Sequence, residues 1–216
     1  MVNINTFVEY VYFIQNKPII NGAVSVGAQL NNILQQAQML PFNQDRAVFI
    51  ETGQTSDYLE TFLKTKIGIV DSVGDIPFPN DYEHTCAIGH YYDTIYCPAY
   101  PISMKEYFDI NRSQFLQPTM EFPKYAEHAG VFKFLPRTMG SVNIQYFKTP
   151  KQPVWGFLMG SGRPVYDATT SVNFEWNASY INRVAGAFLS LIGMNLRAED
   201  LQAFADKFAA QNTTPV

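Results

Sequence analysis

The residues best equipped for chemistry are His84, Cys86 and His90, with Cys97 seven positions further on. In a strand the even positions 84, 86 and 90 share one face, and imidazole with thiolate is a zinc-type donor set. The spacing matches no common structural zinc pattern, and one strand rarely supplies three ligands. Ordinary sheet residues are therefore the favoured reading, with no metal and no cofactor expected. Gly160-Ser161-Gly162-Arg163 has the look of an anion loop or an activated serine. It follows neither the P-loop nor the nucleophile-elbow pattern, and Pro164 has no amide to offer a phosphate, so a turn between extended pieces is expected. Of the carboxylates, Asp81 and Glu83 follow a Pro-Asn turn, where acids organise backbone amides. Glu199 and Asp200 fall in the first turn of a final helix, at the positive end of its dipole. His128 ends a strand without an evident partner. No nucleophile, base and oxyanion donor assemble. The chain does not read as an enzyme.

Composition points elsewhere. Only 16% of the 216 residues are charged and 15% are aromatic, against roughly 25% charged in an ordinary domain. Interface cores are likewise poor in charge and rich in Tyr, Trp, Phe and Met. A net charge of −4 with scattered Lys and Arg argues against a nucleic-acid surface. The longest apolar stretch, Val184 to Met194, is too short for a membrane span. The first residues carry no signal-peptide pattern, so a cytosolic site of synthesis with reduced Cys86 and Cys97 is expected.

The elements that would position these residues read as α+β. Thr6 caps a first helix carrying Phe7, Val8, Tyr10, Val11 and Ile14, which ends before Lys17-Pro18. Asn21-Gly22 marks a turn, and Ser25 caps a second helix bearing Leu30, Ile33, Leu34 and Ala37. Its other face, Gln29, Asn32, Gln35 and Gln36, is amide-rich and almost uncharged. Pro41 is expected to end or kink that helix, with a broken continuation from Gln44 to Glu51. Ser56 opens a third helix. Period-two patterns then predict a hairpin through Ile67, Ile69 and a turn at Asp71 to Asp75, an extended piece from His84 to Tyr92, and a hairpin of Tyr125–His128 with Val131–Leu135. A further strand follows at Val142–Phe147. A helix is predicted between prolines from Ser103 to Leu116. Strands this close in sequence favour a central antiparallel sheet. Residues 149–164 form a long extended loop or arm carrying Trp155 and Phe157, and two C-terminal helices close one domain over residues 1–216.

Several short motifs, in this order, carry a resemblance. They are Thr6-Phe7-Val8 with Val11, Ile14 and Asn16-Lys17; Asn21-Gly22 before an amide-rich helix; and Ser56-Asp57-Tyr58-Leu59. Then come the run from Ile76-Pro77 to Asp81-Tyr82-Glu83-His84, Phe134-Leu135-Pro136, and Gly193-Met194-Asn195-Leu196-Arg197 with Asp200. Together they resemble a virion structural family of tailed phages infecting Bacteroidota, including the crAss-like phages. The chain departs from that family's pattern in two ways: the first helices lack the Glu- and Phe-rich run that usually follows the second helix, and Pro79 stands where an acidic residue is common. The helix–sheet–helix layout is also similar to head-to-tail adaptors that form rings beneath the portal.

The resemblance implies a non-enzymatic neck or connector protein in the virion, made in the host cytoplasm. Its partners would be further copies of itself in a cyclic ring, the portal protein and other neck or tail proteins, with no nucleic acid and no membrane. A ring needs a heterologous interface. Gln29, Asn32, Gln35 and Gln36 are one candidate seam, since amides are desolvated at less cost than charges. Trp155 and Phe157 are either anchors into a neighbouring subunit or a loop tucked on its own domain. Alternatives are capsid decoration, tail-fibre attachment, or a cytoplasmic metalloenzyme using His84, Cys86 and His90.

Overall fold

A computed structural model describes residues 2–14, 27–113, 115–160 and 163–196. The elements in chain order are α1 (Ile4–Ile14), α2 (Ala28–Thr52), β1 (Leu63–Ile69), β2 (Asp75–Pro77), β3 (Tyr82–Tyr92), β4 (Ile95–Pro98), β5 (Tyr100–Pro101) and α3 (Met104–Arg112). They continue with β6 (Lys124–His128), β7 (Val131–Leu135), β8 (Ser141–Lys148), β9 (Phe157–Gly160), β10 (Arg163–Tyr166) and α4 (Ile181–Leu196). The fold is α+β, with helices at both ends and antiparallel sheets between. The expected turn at Asn21-Gly22, the cap at Ser25, and the last helix with Glu199 and Asp200 lie outside the described residues. Where the sequence pattern outlines one domain, the backbone gathers into two compact units: residues 1–61 with 150–216, and residues 62–149 inserted between them.

In the first unit α1 buries Ile4, Phe7, Val8 and Val11, the three- and four-residue spacing of one helix face. Its cap is Asn3 rather than Thr6: the Asn3 carboxamide oxygen accepts from the amides of Asn5 and Thr6 at 2.8 and 3.3 Å. Phe7 meets Phe174 and Phe188 edge-on, which fastens α1 to α4 and to the segment before it. Helix α2 differs from expectation. It runs unbroken through Pro41 for 25 residues and ends where Gly53 turns left-handed and donates to the Phe49 carbonyl. A proline inside a helix costs about 3 kcal/mol. Both flanks of Pro41 are held by residues of the same later segment, 151–183, and the helix runs on across it. Before it, Leu30, Leu34 and Gln38 are buried; after it, Phe42 is buried and Asp45 is paired.

Those pairings form one network. Gln38, fully buried, donates to Gln35 Oε1 at 2.6 Å and to the Lys151 carbonyl at 2.8 Å, and accepts from the Trp176 indole at 3.3 Å. One turn beyond Pro41, Asp45 accepts from Arg183 at 2.9 Å and from the Tyr180 hydroxyl, while Gln44 takes the other arm of the guanidinium at 3.0 Å. Tyr180 is stacked between Tyr58 and Trp176. Burial, and then the Asp45 carboxylate, raise the Tyr180 phenol well above its ordinary value, so it stays a donor.

The second unit holds two four-stranded sheets, ordered β1-β8-β3-β4 and β2-β7-β6-β5. Their facing sides bury Ile76, Phe132, Phe134, Val142 and Ile144. The hairpin β6–β7 forms as the pattern predicts, with Ala129 and Gly130 both at positive φ in a two-residue turn. Strand β8 and helix α3 are also where expected, although α3 stops at Arg112. There the Gln117 amide meets the carbonyls of Ile110 and Ser113 that the helix leaves open. The predicted hairpin around Asp71 is instead a corner. Asp71 accepts from the amides of Val73 and Asp75, but β1 pairs with β8 and β2 with β7, so the chain changes sheets there.

Two outcomes follow. Gln38→Leu removes three hydrogen bonds from a buried site at nearly constant volume. A loss of about 1–3 kcal/mol is expected, read by chemical denaturation; unchanged stability would remove Gln38 from the network's centre. On the acid side, a hydrogen bond from Lys64, then one from Tyr146, hold the Asp81 carboxyl below its ordinary value. Its contribution is complete above about pH 4, the unfolded value, and is lost as pH falls through the lower folded value. Melting temperature should therefore decline with acid below that point, and Asp81→Asn should flatten the decline. An identical acid profile in the variant would exclude Asp81 as a source.

Candidate functional site

The residues that suggest metal chemistry are separated by the sheet itself. Residues directly opposite each other across an antiparallel pair share a face. His84 lies opposite Phe147 and Ile88 opposite Ile144, and the register shifts at Thr85–Ala87. That bulge reverses the alternation, so His84 is on one face of β3 while Ile88 and His90 are on the other. His90 is buried, with Nε2 2.6 Å from the Met120 carbonyl. Cys86 sits at the bulge, where burial pushes its thiol up to about 12, far from a thiolate. Cys97 lies opposite His90, buried. No three metal-ligating side chains gather among the described residues. The even-position argument failed because one inserted residue resets the parity.

The other candidates have structural partners. Asp81 is paired with Lys64 and Tyr146, and Glu83 accepts from the Thr149 hydroxyl at 3.0 Å. His128 closes β6 at an exposed hairpin end. Gly160 and Arg163 are paired across β9 and β10. Ser161 and Gly162 lie outside the described residues.

The surfaces proposed for assembly divide. On α2, Gln29, Asn32 and Gln36 are exposed, while Gln35 is half-buried and holds Gln38. Two amides of the same helix point inward: Gln38, and Asn31, which accepts from the Trp155 backbone amide at 2.8 Å. Gln38 continues the Leu30–Leu34 row at four-residue spacing, a signal that outranks its polarity. Trp155 corrects the anchor reading. It is 2% exposed, donates its indole N–H to Asn5 at 3.1 Å and stacks against Phe157 within its own unit. Residues 149–164 are therefore not a free arm: their first half is bound along α2 and their second half turns back as β9–β10. Phe157 is half-buried there, and the exposed apolar groups are Leu158, Met159 and Val165.

A larger surface, missed in the sequence, lies on the second unit. On the side of the β1-β8-β3-β4 sheet opposite its core, the register brings together Leu63, Thr65, Ile67 and Ile69 of β1 and Ser141, Asn143 and Gln145 of β8. His84, Ala87, Gly89 and Tyr91 of β3, Tyr96 and Pro98 of β4 and the buried Phe147 of β8 complete it. None is Asp, Glu, Lys or Arg. Ile67 is 67%, Ile69 79%, Tyr91 67% and Tyr96 42% exposed. Together these four present on the order of 500 Å² in two apolar flanks separated by the Ser141, Asn143 and Gln145 row of β8, so the face is set apart by lacking charge rather than by one continuous apolar patch. The alternating residues of β1 carry the hint: Lys64 and Lys66 are the polar set, yet they take the side of the sheet that also buries Val142 and Ile144.

No family model matches the chain, and no curated protein is similar to it. Among the described residues, no helix is long and apolar enough to cross a membrane.

Burial of Trp155 makes a clear distinction. Trp155→Ala should lower the stability of the protein by about 3–5 kcal/mol, the usual cost of emptying a buried indole site. Met159→Lys, at the exposed part of the hairpin, should change it by less than about 0.5 kcal/mol. Equal stability of the Trp155 variant and the parent would restore the free-anchor reading.

Proposed function

We propose that this chain is a non-enzymatic structural protein of a phage virion, a ring-forming component of the head-to-tail connector that meets the portal and neighbouring neck or tail proteins. The observation that carries this reading is the uncharged, exposed sheet face around Ile67, Ile69, Tyr91 and Tyr96. A permanent neighbour covers such a face at little desolvation cost, whereas a freely solvated protein gains nothing from it. The exposed amides Gln29, Asn32 and Gln36 supply a second uncharged surface of the same kind. The ordered motifs that resemble the phage family support a virion as the assembly. The dispersal of His84, Cys86 and His90 weighs against the metalloenzyme alternative.

Quantitative mass spectrometry of purified particles tests it, scaling this protein against portal and major capsid proteins. Copies equal to, or a small multiple of, the portal count are expected. Hundreds of copies would assign it to capsid decoration instead. Absence from the particle would sink the virion reading altogether.

A further inference from the structure

Resting on the ring reading, we infer that the seam between copies is a strand-to-strand junction: β1 of one copy adds to β4 of the next, and the uncharged faces join into one continuous band. The four-stranded sheet ends in two different open edges, β1 and β4. Each successive pair is antiparallel, so β1 and β4 run in opposite directions. Copies related by rotation about an axis along the strands therefore bring β4 beside the next β1 in antiparallel orientation, with the same face outward.

Each edge has what the other needs. Tyr92 and Ile95 close the two-residue turn of Asp93 and Thr94, both at positive φ, so bonded pairs alternate from there: Tyr92 with Ile95, then His90 with Cys97. The Ala99 amide donating to the Ile88 carbonyl continues the alternation. The N–H and C=O of Tyr96 and the C=O of Pro98 consequently face away from β3, toward a neighbour. The Tyr96 ring lies on the same face as Ile67 and Ile69 but is folded over Gly89 and edge-on to Tyr91 within its own sheet, so the junction rests on the backbone edges.

The partner is a second copy through its β4, not its β1. An antiparallel self-pairing centred on β1 sets Lys66 against Lys66, like charges directly opposite, whereas β4 carries no charged residue. In the free chain, Lys64 and Lys66 on an exposed edge discourage indiscriminate strand addition.

Cysteine pairing tests the geometry in particles purified from phage carrying Ile67→Cys with Tyr96→Cys. Both positions are exposed, and circular dichroism of the purified full-length variants checks their fold. Ile69→Cys with Tyr96→Cys provides a second register. The expected result is a ladder of disulfide-linked oligomers on a non-reducing gel for a double variant, absent from each single variant and from the parent with its native Cys86 and Cys97. Dimers from Ile67→Cys alone would replace this junction with β1 self-pairing and overturn it. Incorporation at portal-like copy number without crosslinks in either register would also overturn it, while leaving the ring intact. Absence of the parent protein from particles would remove the ring reading and the junction together.

Discussion

Everything in the first unit depends on where α2 finds partners for the polar groups it buries. Gln38 and Asp45 lie on opposite sides of Pro41 and are answered by residues far along the chain: Lys151, Trp176, Tyr180 and Arg183. An unanswered buried carboxylate would cost several kcal/mol, more than a helix gains from its own propensity. The helix is thus committed to the second half of its unit before apolar packing is counted. That commitment also explains why a proline is tolerated at its middle. Contacts on both flanks fix the axis, so the missing amide of Pro41 is a local loss.

The same network makes a nested arrangement workable. Residues 62–149 fold as their own unit between two segments that must find each other. Closure entropy grows only slowly with the length of the intervening chain, so a folded insertion adds little cost. What the outer unit needs is specificity, and directional groups provide it. The Tyr58–Tyr180–Trp176 stack and the Asp45–Arg183 pair specify one register of α2 against α4, whereas Leu and Val alone would accept several.

Legibility in the sequence followed the range of the forces. The β6–β7 hairpin, β8 and the apolar face of α1 were readable because alternation, helix spacing and a two-residue turn are local. The parity of β3 was not: the extra residue at Cys86 leaves no mark in composition, yet it sends His84 and His90 to different faces. The fate of Trp155 was open for the same reason. Its indole is buried by Asn5 and Phe157, and the first of these lies across the chain from it. The β1 surface was missed because Lys-x-Lys reads as a solvated strand when the partner face is unknown.

Charge placement bears on the proposed assembly. In the second unit, Lys64 meets Asp81, Lys133 meets Asp75 and Lys124 meets Glu106. The outward sheet face has no such pairs because it has no such residues. Exposed ion pairs add little stability, about 0–1 kcal/mol each, so their absence from that face is not a stability measure. Removing charge there lowers the cost of drying the surface when a neighbour arrives. A rigid antiparallel sheet keeps the apolar side chains already positioned, so little entropy remains to be lost on contact. A surface both dry-ready and preorganised suits a partner that stays.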